Sequence, residues 1–116
     1  MEKDFYLVTN NPTFGDSFVR QLPEGQFRAS VLTSLKALTD ELPIASTFIA
    51  AVDIDSFEPD IQRIKALKRK YMDVVLLAFS ERKFHPEHKE VLSEHFFACL
   101  TKPIDMDELL YLIKDV

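Results

Sequence analysis

Residues 47–53, TFIAAVD, limit what this chain can fold into more than any other stretch. Six residues that are apolar or nearly so end in one carboxylate, with Ile54, Asp55 and Ser56 behind it. A run that short, without polar alternation, reads as a strand buried on both faces, as in a parallel sheet. In open α/β sheets, ligands bind beyond the carboxyl ends of the strands, which is where Asp53 falls.

The flanking sequence supplies the other layers. Residues 5–9 form a first strand, and Asn11 with Pro12 opens a helix whose Phe14, Phe18 and Leu22 make one apolar stripe. A second strand covers 27–32, followed by a short helix, capped by Thr33 or Ser34, that turns Leu35, Leu38 and Leu42 to the core. After Asp53, Ser56 and Pro59 start a helix carrying Phe57, Ile61, Ile64, Leu67 and Tyr71 on one face. Residues 73–79 are a fourth strand, 80–85 a polar loop, and Pro86 opens a helix with Val91 and Leu92. Residues 96–101 are a fifth strand. In the last helix, Asp105 at the cap, Glu108 three residues on and the Ile104/Leu109 pair fit a capping-box variant with a hydrophobic staple. Strands alternating with amphipathic helices five times predict a single α/β domain over 1–116. It has an open five-stranded parallel sheet, order 2-1-3-4-5, with helices on both faces.

Composition narrows function by exclusion. An apolar fraction of 47% and a charged fraction of 28% are those of a soluble globular domain. A net charge of −5 disfavours nonspecific binding to nucleic acid or an anionic membrane. The lone Cys99 forbids an internal disulfide, and the N-terminus lacks a signal-peptide layout, so a cytoplasmic location is expected. Two glycines leave no material for a phosphate-cradling loop.

Two features together carry a family resemblance: Asp53 ending the third strand, and the segment Leu100-Thr101-Lys102-Pro103-Ile104-Asp105 joining the fifth strand to the last helix. The chain resembles the receiver domain of two-component response regulators over essentially its whole length. The resemblance implies that Asp53 stands at the phosphoryl-acceptor position and Lys102 at the phosphoryl-contacting one. It also implies a cis bond between Lys102 and Pro103, and a histidine kinase, an output domain or another signalling protein as partner.

The sequence departs from the family elsewhere. Thr9 and Asn10, followed by Asn11, stand where the family has the acidic pair that holds Mg²⁺. Ala78 falls at the switch Ser/Thr, with Ser80 two residues later, and Cys99 replaces the aromatic three residues before the lysine. Mg²⁺ takes hard oxygen ligands, usually one or two carboxylates with waters and phosphate oxygens. The loss of two carboxylates therefore predicts a degenerate receiver-like module. It needs no cofactor, is not an enzyme, and acts through a protein partner or self-association. The alternative is a working receiver phosphorylated on Asp53, with Mg²⁺ held by Asp53 and by Asp55 if its loop turns inward.

Other clusters read as structure. His85, His88, His95 and Cys99 lack a recognised zinc spacing. The basic run Lys65, Lys68, Arg69 and Lys70 suits a helix C-terminus better than a nucleic-acid face. Cys99 reads as a buried, inert thiol. A small flavodoxin-like enzyme or nucleotide binder lacks a catalytic constellation. Tyr111 points off the apolar stripe of the last helix and Leu110 flanks it. The resemblance makes both candidates for a partner-contacting face.

Overall fold

A computed structural model describes residues 3–41, 48–56, 61–71, 73–81 and 95–114. Five strands, β1 (Lys3–Val8), β2 (Phe27–Leu32), β3 (Ile49–Asp53), β4 (Val75–Ser80) and β5 (Ala98–Thr101), form one sheet in the order β2-β1-β3-β4-β5. All four pairings are parallel. The helices are α1 (Pro12–Gln21), α2 (Leu35–Glu41), α3 (Ile61–Lys70) and α4 (Met106–Ile113). The expected helix from Pro86 through Val91 and Leu92 lies outside the described residues, as do Phe57 and Leu42.

The central strand behaves as its composition dictates. Every residue of β3 is buried, and its side chains alternate between two cores. Ala50 and Val52 join Leu35, Leu38, Ile64, Leu67 and Tyr71 beneath α2 and α3. Ile49 and Ala51 join Phe18, Leu109 and Ile113 beneath α1 and α4. Fully burying each large aliphatic or aromatic side chain contributes about 1.5–3 kcal/mol, so the two layers hold the strand ends in place. On the second face, Phe5, Phe14, Phe18, Phe27 and Phe79 form a chain of ring contacts 5.2 to 6.3 Å apart.

Gly15 lets α1 come close to the strand ends. A Cβ there would stand 3.2 Å from a Val31 methyl and 3.5 Å from that of Thr9. At the other end of the chain, Asp105 caps α4 by accepting from the amides of Asp107 and Glu108. The peptide between Lys102 and Pro103 is cis.

Strand ends differ from expectation, with β1 at Lys3–Val8 rather than 5–9, β4 at Val75–Ser80 rather than 73–79 and β5 at Ala98–Thr101 rather than 96–101, and so does the exposure of Cys99. Ser80, read as the first loop residue, is the last residue of β4, because it pairs in register with Thr101 of β5. Cys99 is exposed rather than buried, since among the described residues β5 is an edge strand paired only with β4. Partial burial of its sulfur and the nearby Asp55 carboxylate both push the thiol above its ordinary range. No described helix is long and apolar enough to cross a membrane.

Candidate functional site

The carboxyl ends of β1, β3, β4 and β5 bring Thr9, Asp53, Ser80 and Lys102 to one end of the sheet, with Asp55 and Ser56 in the turn after β3. Asp53 is the centre of this arrangement, and its side chain is only 2% exposed. A buried carboxylate must be compensated, and this one is. Its Oδ1 accepts from the Lys102 ammonium at 2.7 Å and from the Asp55 backbone amide at 3.1 Å. Its Oδ2 accepts from the Thr9 hydroxyl at 2.6 Å and from the Ser56 hydroxyl at 2.9 Å. A carboxylate offers about four lone-pair sites, and all four are filled from within the chain. Burial pushes the Asp53 pKa up, but bonds from Lys102, Thr9 and Ser56 outweigh it and leave the group below its ordinary 3.8.

The turn that supplies these donors is stitched to the β1 loop. The Ser56 hydroxyl accepts from the Asn10 backbone amide at 3.0 Å, and the Asn10 side-chain amide reaches the Ser56 carbonyl at 3.4 Å. Thr9 in turn accepts from the Asn11 amide at 3.1 Å. Thr9 and Asn10, at the expected place of an acidic pair, thus act mainly as donors toward Asp53 and Ser56.

Lys102 lies between the two acidic residues. Its Nζ is 2.7 Å from Asp53 Oδ1 and 3.2 Å from Asp55 Oδ2, with 12% of the side chain exposed. The Phe14 ring covers it, 4.3 Å from centroid to Nζ, a cation–π contact that also limits water access. Asp55 has turned inward, accepting from Ser80 Oγ at 3.2 Å and from the Glu81 amide at 2.7 Å. Ala78, by contrast, is buried in the core two residues before the strand end and carries no site chemistry.

The donor set suits Mg²⁺ poorly. Both Asp53 oxygens are saturated by donors, Asp55 is paired with an ammonium, and Thr9 and Asn10 add no charge. Among the described residues, no three of His, Cys, Asp and Glu converge on a common point. His85 and His88 lie outside the described residues, and His95 uses its carbonyl to accept from Lys68 Nζ at 3.2 Å. In the basic run, Lys70 likewise donates to the Thr39 carbonyl, so two of these lysines tie α3 to its neighbours.

Sequence reasoning found Asp53, Lys102 and Ser80 but missed two members. Ser56 was read only as a helix start, and Phe14 only as part of an apolar stripe. The signal for Ser56 is local: in Asp53-Ile54-Asp55-Ser56, a carboxylate can accept from the amide two residues on and anchor a turn. That bond is present, from the Asp55 amide to Asp53 Oδ1 at 3.1 Å, and the Ser56 amide closes the turn on the Asp53 carbonyl at 3.1 Å. Phe14 carries no comparable signal, because its contact with Lys102 is set by how α1 packs on the sheet.

Solved structures that superpose on this chain include receiver domains. A CheY-like response-regulator protein from Mesorhizobium loti superposes with a TM-score of 0.76 at 20% identity, covering 98% of either chain. The signal receiver domain of an HD-domain protein from Pseudomonas fluorescens gives 0.77 at 11% identity, covering 98% of this chain and 93% of that one. The receiver domain of a Francisella response regulator gives 0.69 at 16% identity, covering 94% and 91%. This chain has the receiver fold. No protein-family model matches the sequence, and no curated protein sequence shows a significant match. The receiver likeness therefore rests on the fold.

Proposed function

We propose that this receiver-fold domain is a protein-docking module whose state does not depend on Mg²⁺-assisted phosphorylation of Asp53. One observation carries the reading: all four acceptor sites of the Asp53 carboxylate are engaged by donors of the chain itself. Attack on a phosphodonor requires a free carboxylate lone pair, and metal binding requires another. Each would have to displace a charge-assisted or buried hydrogen bond, the stronger kind in a protein interior. The domain acts by binding rather than by turning over a substrate, and it holds no resident metal.

The exposed large rings that would meet a partner are Tyr111, 69% exposed on α4, and Phe97, 60% exposed just before β5. Leu110, expected beside Tyr111, is half-buried. A protein partner, or a second copy of the chain, would meet large rings that cost little entropy to order.

The test is titration of the folded domain with Mg²⁺ and beryllofluoride, a phosphoryl mimic, read by amide NMR shifts with Asp53→Asn as control. No saturable response is expected. Saturable shifts around Asp53, Ser80 and Lys102 that vanish in Asp53→Asn would overturn the reading and establish a working acceptor.

A further inference from the structure

Three donors from two segments at the carboxyl end of the sheet, residues 80–81 and Lys102, converge on Asp55, which is distant from all of them in sequence. Ser80 Oγ ends β4 and reaches Asp55 Oδ1 at 3.2 Å. The Glu81 backbone amide, the next group along, reaches Oδ2 at 2.7 Å. Lys102 Nζ, just past β5, reaches the same oxygen at 3.2 Å. A hydroxyl, a backbone amide and an ammonium together form a cradle for an oxyanion, supplying charge and directional bonds at once. Asp55 is aimed into it by its own backbone, whose amide is fixed on Asp53 Oδ1. Its side chain is 26% exposed, so the cradle opens to solvent on one side.

We propose that Asp55 is a built-in oxyanion: its carboxylate occupies a three-donor cradle made by Ser80, Glu81 and Lys102 that accepts free phosphate once that carboxylate is removed. The tethered carboxylate has a high effective concentration, in the millimolar range or above, so dissolved anions do not displace it. The contact staples the turn after β3 to the ends of β4 and β5. The inference deepens the reading above, because the donors an incoming phosphoryl group would need are already taken.

The experiment is a titration with inorganic phosphate at constant ionic strength, followed by amide NMR, on the unaltered domain and on Asp55→Ala. In Asp55→Ala, saturable shifts are expected at Ser80, Glu81 and Lys102, with at least tenfold tighter binding than in the unaltered domain. Adding Ser80→Ala to that variant should weaken the response severalfold. Equal responses in the unaltered domain and Asp55→Ala, or shifts confined to other residues, would overturn the proposal. A second measurement holds even if Asp55→Ala does not fold. The Glu81 amide of the unaltered domain should be protected from hydrogen exchange, and at least tenfold less so in Asp55→Asn. Exchange at the open-chain rate in the unaltered domain would sink it. A beryllofluoride response at Asp53 would overturn the docking reading, while phosphate capture by Asp55→Ala tests the cradle by itself.

Discussion

At the scale of single residues, the carboxylate of Asp53 and the ammonium of Lys102 stand or fall together. Removing one partner of a buried pair leaves the other as an uncompensated charge, which costs more than the pair itself contributes. Lys102→Met keeps most of the apolar stem under Phe14 but deletes the charge, and should lower stability by about 3 kcal/mol in chemical denaturation. The double variant Lys102→Met/Asp53→Asn should recover part of that loss, since the stranded charge is gone; strict additivity would argue against coupling. The pH dependence has a definite sign. Asp53 is held below its ordinary 3.8 in the folded state, so its ionised form contributes stability that is complete above about pH 5. That contribution is lost as pH falls below the ordinary value and through the lower native one. The stability difference between the unaltered domain and Asp53→Asn should therefore be constant at neutral pH and shrink on acidification below pH ~4. A difference that grows on acidification would show that burial, not bonding, dominates at Asp53.

At the scale of elements, α4 shows what a sequence makes legible. Its cap, its staple and its stripe are all local, and Asp105, Leu109 and Ile113 stand where those rules put them. Asp105→Ala removes an acceptor from two amides and should cost about 1 kcal/mol, measurable as a shift in denaturation midpoint with an unchanged slope. Asp105→Asn should recover most of it. The end of β4 shows the opposite case. Whether Ser80 belongs to the strand or the loop is decided by its pairing with Thr101, a contact between distant segments that local composition does not encode. The inward turn of Asp55 is of the same kind. Its direction is set by Ser80, Glu81 and Lys102, and a reading of the Asp53–Ser56 tetrapeptide alone leaves it open. Cys99 differs in kind: its short apolar strand reads as buried by composition, while the expected strand order already puts that strand at the edge of the sheet, where the side chain is exposed.

At the scale of the whole molecule, the strand order β2-β1-β3-β4-β5 was legible because few topologies satisfy alternating strands and helices joined by right-handed crossovers. The binding state of the edge those strands create was not, since it depends on which donors reach which oxygens. That state has a global thermodynamic signature. A cation that binds only the folded form stabilises it by RT ln(1 + [L]/Kd), about 2.7 kcal/mol when present at a hundred times its Kd. For a domain of 116 residues, 1 kcal/mol moves the midpoint of thermal unfolding by about 4 °C. A Mg²⁺ site with a Kd of ~0.1 mM would thus raise Tm by about 10 °C in 10 mM MgCl₂ over EDTA. With Asp53 saturated by Thr9, Ser56, Asp55 and Lys102, the expected shift is below about 1 °C, once ionic strength is matched with NaCl to remove general screening. Ca²⁺ should behave as Mg²⁺ does, because the limitation lies in occupied carboxylate oxygens rather than in the size of the ion. A rise of several degrees that disappears in Asp53→Asn would mean that the cation displaces Lys102 from the carboxylate. Asp53 would then have to be regarded as an acceptor held in reserve behind its own lysine.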